Sequence, residues 1–227
     1  MDSASAVAPT RSLTSVAFER LRLAILGGEL LPQERLRIQA LSERYRVGAT
    51  SIREALSRLV TEGLVDSEEQ RGFRVTSVSR AELLDLTQTR TRVEQMALCL
   101  AIERGDIEWE SRLLSRFHRL SRTPPPTSPE RDLPWATAHR SFHEALLDGC
   151  ASPWTMQLCR LLYDKSERYR NLAKQRMRDR CRDVDAEHRG LMDASMARDA
   201  DAACRLLGDH FAETTEIILA AGLIGDE

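Results

Sequence analysis

LSERYRVGATSIREALSRLVTEGLVDSEEQRGFRVT, residues 41–76, decides how the N-terminal third of this chain folds. Ile52, Ala55, Leu56 and Leu59 recur at helical spacing behind Thr50 or Ser51, either of which can cap a helix start. A shorter helix, about Ile38 to Tyr45, precedes Val47-Gly48. Two short helices joined by a tight turn make a helix-turn-helix candidate. From Leu64 the period changes: LVDSEEQRGFRVT alternates around Gln70-Arg71-Gly72, as a two-stranded hairpin does, and Gly72 is free to take the positive φ of its turn. That hairpin is a wing. Upstream, Phe18, Leu21 and Ile25 mark another helix that ends at Gly27-Gly28, with a turn at Leu31-Pro32. Residues 1–12 are polar and lack the apolar stretch of a signal peptide, so they are expected to be a disordered tail.

Beyond residue 78 almost everything has helical period, which predicts one domain over 13–78 and another over 79–222. The 227 residues have room for two modest domains, and 42% hydrophobic with 30% charged content is that of a soluble globular protein without a membrane span. Residues 1–78 carry 11 arginines against 10 acidic groups, and the rest 22 basic against 25 acidic. Contact with nucleic acid must therefore come from local patterning and not from bulk charge. Five cysteines without a CxxC pair, Cys99, Cys150, Cys159, Cys181 and Cys204, favour reduced thiols in a cytoplasmic setting and read as small core residues. Trp109, Trp135 and Trp154 read as packing residues. TPPPTSPERDLP, residues 123–134, reads as a loop, because prolines lack the helical donor. The basic stretch from Arg168 to Arg182 reads as a solvated face or helix connection.

Four of the five histidines sit where a helix turns them toward an apolar core. His139 and His143 are one turn apart beside Phe142, Ala145 and Leu146; His188 aligns with Val184, Leu191 and Met192; His210 aligns with Leu206, Leu207, Phe211 and Thr214. Each buried imidazole brings a donor and an acceptor that must be paired. A divalent ion pairs them at once, and zinc or nickel suits imidazole nitrogen while leaving a position open. Separately hydrogen-bonded core histidines are the alternative. His118, beside Arg116 and Arg119, is expected to face solvent.

Residues 30–76 resemble the winged helix-turn-helix of the GntR family, above all in SIREALSRLVTEGLV followed by RGFRV. Residues 80–222 resemble the all-helical FCD ligand-binding domain of the FadR subfamily, through RTRVEQMALCLAIERG, HRSFHEALL, AEHRGLMDASMARDADAA and LLGDHF. Within that subfamily, EWE at 108–110, HRSFHEALLDGC and ERYR are similar to the glutarate-sensing repressors of carbon-starvation genes. The resemblance makes Arg53 the recognition-helix arginine, suited to a two-pronged contact with guanine or to a phosphate. Thr50 and Ser51 are then placed for phosphates or base edges, and Arg71 with Gly72 for the minor groove beside the wing. Arg58, near Glu54 and Glu62, is expected to be a surface charge. Gln33 replaces the family's usual glycine, a change expected to be harmless in an exposed turn; Ala49 and Gln39 replace basic residues of FadR, so the FadR operator code does not carry over.

In the FCD family one helix supplies an aspartate and a histidine four residues later, and two further helices supply one histidine each. Here His139 takes the aspartate position. With four neutral ligands a divalent ion keeps a shell charge of about +2 in place of about +1, which calls more strongly for an anionic effector. Arg90 matches the arginine that often faces the FCD cavity; a pair with Glu94 on the same helix face is the equal alternative. Arg168, Tyr169 and Arg170 offer further anion-binding chemistry, of which one or two can face inward.

The expectation is a mainly α protein with an N-terminal winged helix, a small hairpin wing and a C-terminal FCD bundle. It is a cytoplasmic homodimer that binds double-stranded operator DNA, a repressor released by a small dicarboxylate such as glutarate at a metal site. An activator of the same build, a metal-dependent hydrolase and a regulator with a purely structural metal are the alternatives.

Overall fold

The computed structural model describes residues 12–68, 71–125, 129–178, 182–222 and 224, without side-chain detail for 129–132 and 174–178. The expected tail up to residue 11, Gln70 of the hairpin turn and Cys181 lie outside the described residues. The chain divides into two compact units, one ending at Val78 and the other beginning at Ser79.

The first unit runs α1 (Leu13–Leu26), β1 (Arg35–Leu36), α2 (Ile38–Tyr45), α3 (Ala49–Thr61), β2 (Val65–Glu68) and β3 (Gly72–Val75). Its core is apolar: Phe18, Leu21 and Ile25 of α1 pack with Ile52, Leu56 and Leu59 of α3 and with Leu41, Val65 and Val75. Arg46 ends α2 in the left-handed conformation, and the Ser42 hydroxyl donates to the Val47 carbonyl at 2.6 Å, which tightens the turn into α3. The wing pairs β2 with β3 antiparallel, Val65 facing Val75 and Glu68 facing Gly72, whose φ is 91° as the turn requires.

Two details differ from the sequence reading. The hairpin gains a third strand, the two-residue β1, in the order β1-β3-β2. Helix α3 is capped at Gly48 without a side-chain bond, because Ala49 is already helical and Thr50 and Ser51 fall inside the first turn.

The second unit is a six-helix bundle among the described residues: α4 (Arg80–Arg104), α5 (Ile107–Arg122), α6 (Pro129–Asp148), α7 (Pro153–Arg178), α8 (Val184–Met196) and α9 (Ala200–Ala220). Ser79, Asp106, Asp183 and Asp199 each accept a bond from the amide three residues on, giving α4, α5, α8 and α9 defined starts. Helix α9 packs on α4, α7 and α8, while α6 packs on α5 and α4. Trp109 is buried between α5 and α6, and its indole N–H donates to the Ala145 carbonyl at 2.9 Å. Gly105 makes room for it, since a Cβ there would lie 2.2 Å from the ring.

Four expectations for this unit need correction. Residues 129–134 belong to α6 and not to a loop: Pro129 opens the helix, where no donor is needed, and Pro134 is tolerated inside it at an exposed turn. Trp154 is 78% exposed, on the outer face of α7 with Leu158 and Leu161. Cys150 and Cys159 are core residues, whereas Cys99 is exposed and Cys204 half-buried. At the two ends of the basic stretch the solvated-face alternative fails, for Arg168 is buried and Arg182 turns inward from the connection that leads into α8; the side chains of 174–180, between them, lie outside the described residues.

Candidate metal centre and nucleic-acid interface

Three helices converge on one buried point. His139 and His143 from α6, His188 from α8 and His210 from α9 are all buried, and one nitrogen of each lies within 4.8 Å of one from every other. A divalent ion holding imidazole at about 2.1 Å keeps such nitrogens roughly 3–4 Å apart. The cluster needs only small side-chain adjustments to match.

Hydrogen bonding separates the four rings. Both ring nitrogens of His143 and of His188 are buried without any partner. A buried imidazole left so costs on the order of 1–3 kcal/mol per unmet group, so two such rings in one place fit an ion better than they fit packing. Burial pushes His139 and His143 well below the ordinary histidine range, helped by the neighbouring histidines and Arg170. Burial and His210 push His188 down to about 2, and burial takes His210 to about 4 although its bond to Glu187 opposes this. All four are neutral at pH 7, which is the form that ligates.

Two of the rings are aimed by their neighbours. His210 Nδ1 lies 2.7 Å from Glu187 Oε2, and Arg182 grips that carboxylate with Nε on Oε1 and NH2 on Oε2, both at 2.6 Å. Burial pushes the Glu187 carboxyl up, but the bonds from His210 and Arg182 outweigh it and hold it at about 2. An ionised carboxylate makes Nδ1 the protonated nitrogen and leaves Nε2 for an ion. The Arg182 guanidinium also reaches the His210 carbonyl at 2.9 Å and Thr214 at 2.8 Å. His139 stacks on Trp135, and its Nδ1 lies 3.1 Å from the Tyr163 hydroxyl.

Cations line one side of the cluster. Arg90 donates Nε to Glu94 at 2.6 Å, as the helix-face pairing anticipates, yet both residues are buried and the guanidinium stacks 4.0 Å over Phe211. Its NH2 has no partner. Arg170 pairs with Glu167 at 2.6 Å and lies 4.7 Å over the Tyr163 ring, with Nε unpartnered. Arg90, Arg170, His210, Thr87, Ser166 and Thr215 border a cavity of about 20 Å³.

Arg168 and Tyr169 do not border that cavity; the Tyr169 hydroxyl donates to Glu82 at 2.5 Å, at the start of α4. The sequence reading thus gathers the four histidines and Arg90, and leaves Arg170 unassigned beside Arg168 and Tyr169. It misses Tyr163, Arg182 and Glu187. The spacing of Tyr163, Ser166 and Arg170, three and then four residues, was the available signal for the α7 contribution.

On the first unit, α3 buries Ile52, Ala55, Leu56 and Leu59 and turns Thr50 and Arg53 to solvent, with Ser51 half-exposed. Among the described residues Arg53 has no hydrogen-bond or ion-pair partner, and Arg71 and Gly72 are exposed at the wing. Arg58 is exposed, as expected of a surface charge, and its guanidinium lies 4.0 Å over the Phe18 ring, while Glu62 pairs with Arg22. His118 is exposed, as expected.

The comparisons with known proteins agree with this division. The profile of bacterial regulatory proteins of the gntR family matches residues 13–75, and the FCD domain profile matches residues 85–213. The chain is 40% identical over 223 residues to the HTH-type transcriptional regulator BphR of Paraburkholderia xenovorans, covering 96% of this chain and 90% of the relative. It is 36% identical over 215 residues to the HTH-type transcriptional repressor GlaR of Escherichia coli, covering 92% of this chain and 98% of GlaR. Among solved structures, E. coli McbR/YncC superimposes with a TM-score of 0.74 at 20% identity, over 93% of this chain and 99% of that one, which speaks to the fold alone. Among the described residues no helix is long and apolar enough to cross a membrane. With a winged helix presenting a solvated recognition helix and an FCD bundle holding buried histidines, the chain belongs to the GntR family of DNA-binding transcriptional regulators.

Proposed function

We propose that the protein is a homodimeric repressor that leaves its operator when a small dicarboxylate binds beside a divalent metal, zinc or nickel, held by His139, His143, His188 and His210. The observation that carries this reading is the set of buried polar atoms without partners: both nitrogens of His143 and His188, and the NH2 of Arg90 and Nε of Arg170 on the adjoining cavity wall. Orphaned groups in this number fit two absent ligands, a cation among the histidines and an anion among the arginines. The metal supplies a charge of about +2 that four neutral ligands do not offset, and with it an attraction for carboxylate.

Arg90 holds the second carboxylate, and its guanidinium presents the two-pronged donor that a carboxylate matches. Arg170 is the further candidate, in preference to Arg168 and Tyr169, which lie elsewhere. A cavity of about 20 Å³ has room for one water, so a dicarboxylate enters only as the walls move apart. Release of Glu94 by Arg90 is the natural first movement, and α4 and α9 are the walls that shift. Ligand binding then changes operator affinity only through unequal affinity for the closed and opened forms. Arg53, Thr50 and Ser51 on α3, with Arg71 and Gly72 on the wing, make the DNA contacts. A second copy doubles the reading surface, and the exposed apolar row of Trp154, Leu158 and Leu161 on α7 is suited to cover a partner.

Calorimetry on the metal-loaded protein tests the reading. Glutarate is expected to bind more tightly than 2-hydroxyglutarate or succinate and far more tightly than butyrate, and Arg90→Ala to weaken glutarate while metal content stays constant. Equal affinity for glutarate and butyrate would remove the two-anchor site. Turnover of the acid would favour a hydrolase, and metal binding without any carboxylate response a structural ion.

A further inference from the structure

We propose that Cys99 of α4 and Cys204 of α9 form an oxidisable dithiol that a hydroperoxide closes into a disulfide, tying the two helices together. Their sulfurs are 2.9 Å apart, within about 1 Å of bonding distance. The backbones are held for this approach. Gln95 donates Nε2 to the Cys204 carbonyl at 2.7 Å, and Gly208 lets α9 lie so close to α4 that a Cβ there would meet Gln95 Nε2 at 3.2 Å.

The surroundings assign the order of events. Cys99 is exposed, on a surface groove shared with Glu103, Arg198 and Ala200, so an oxidant reaches it from solvent. Cys204 is half-buried, and burial together with the bond to Cys99 pushes its thiol up to about 12, which makes it the poorer first nucleophile. Cys99 sulfur attacks the peroxide, forming an S–O bond as the O–O bond breaks and releasing water or an alcohol. Cys204 sulfur then displaces the hydroxyl from Cys99, and its proton leaves with that hydroxyl as water. Two thiols lose two electrons and the peroxide gains them.

Cys150 and Cys159 are buried, and burial pushes the Cys159 thiol up to about 12, so neither competes for the oxidant. The bond would close a long segment of chain between the first and last helices of the bundle, where a cross-link restricts the unfolded state most. Those helices also carry Arg90 and His210, so it restrains both walls of the cavity between them.

The test uses the full-length, metal-loaded protein treated with hydrogen peroxide, alkylated under denaturing conditions and mapped by mass spectrometry. The expected products are a Cys99–Cys204 linked peptide pair that is lost on reduction, unchanged metal content and a melting temperature raised by several degrees. Cys99→Ser should abolish the link, and Cys204→Ser should leave a sulfenic acid on Cys99 that dimedone traps. Because Cys99 is exposed, C99S keeps the test open even if C204S fails to fold. Oxidation of Cys99 in the wild type without linkage to Cys204, or a peroxide-treated protein whose two thiols both remain alkylatable, would overturn the proposal.

Discussion

The two units of this regulator treat polarity in opposite ways. Every buried polar or charged residue among those described, including Arg90, Glu94, Arg168 and the four histidines, lies in the helical bundle, whereas the core of the winged unit is built of apolar side chains, with the Tyr45 hydroxyl as its one buried unpartnered atom among the described residues. A unit that reads a large external polymer keeps its working side chains outside, so its interior can serve stability alone. A unit that captures a small ion or acid must enclose it, so it carries unpaired groups until the ligand arrives. The difference predicts that ligands govern the stability of the bundle and not that of the winged unit.

The largest expected effect is metal removal. Chelation should lower the melting temperature of the bundle by about 10 °C or more, on the scale of the roughly 4 kcal/mol that a ligand at a thousandfold excess over its Kd contributes. His143→Ala or His188→Ala should abolish stoichiometric metal, while His139→Asp should keep it because the substitution restores the family's usual ligand. Elemental analysis checks both, and full occupancy in the alanine variants would sink the site.

Acid should act on the same unit. In the metal-free protein, burial keeps His188 and His210 neutral, with folded pKa values near 2 and 4 against an ordinary 6.5. Below pH 6.5 the unfolded chain binds the additional protons, so stability is complete above 6.5 and falls as the pH drops, at up to about 1.4 kcal/mol per pH unit for each histidine. The loss from His210 is complete near pH 4, and that from His188 continues below it. Urea melts of the isolated transitions at pH 7, 5.5 and 4.5 check the slope; a flat bundle transition would contradict burial of neutral rings.

Arg53→Ala should separate the units from the other side. It is expected to cost about 1–3 kcal/mol of operator binding and to relax sequence preference, without moving either melting transition. Anisotropy titrations at fixed salt decide this, and unchanged affinity would take Arg53 off the reading face. Glu187→Gln should have a comparable effect within the bundle: a roughly 10- to 100-fold loss of metal affinity, because His210 loses the carboxylate that fixes its proton on Nδ1. Metal competition with a chromogenic chelator is the readout, and unaltered affinity would make Glu187 a purely structural partner of Arg182.

The units were unequally legible. In the winged unit the helical period of α3 and the alternation of the hairpin each had one solution; β1, too short to carry a period, went unseen, and the cap of α3 was placed inside its first turn. In the bundle the histidines were legible because their own helices have clear apolar faces. Helix α7 was not: it buries Arg168 and Tyr169 as well as the inward Arg170, so apolar pattern does not set its phase, and one residue's error turns a side chain by about 100°. Arg182 was beyond local reasoning, since its contacts with Glu187, His210 and Thr214 join a connection to two helices. The prolines near α6 misled for a related reason, because burial of Ala138, His139 and Phe142 further along outweighs the local cost of Pro134.

The smallest predicted effect tests whether the winged unit is as free of strain as its apolar core suggests. Gln33, in the turn where the family usually has glycine, adopts a φ of 63°, and its backbone is fixed there by a 2.9 Å bond from its amide to the Val75 carbonyl and a 3.0 Å bond from Arg74 to its own carbonyl. Sheet pairing therefore imposes the left-handed conformation, and the departure that looked harmless in an exposed turn is a cost. A side chain in that region disfavours the folded state by about 1–2 kcal/mol, while glycine adds freedom to the unfolded chain that offsets part of the gain. Gln33→Gly should consequently stabilise the winged unit by roughly 0.5–1 kcal/mol, leaving metal binding and the bundle transition unchanged. Denaturant melts followed by a probe in the winged unit check it. A loss of stability would mean that the Gln33 side chain makes up for its backbone.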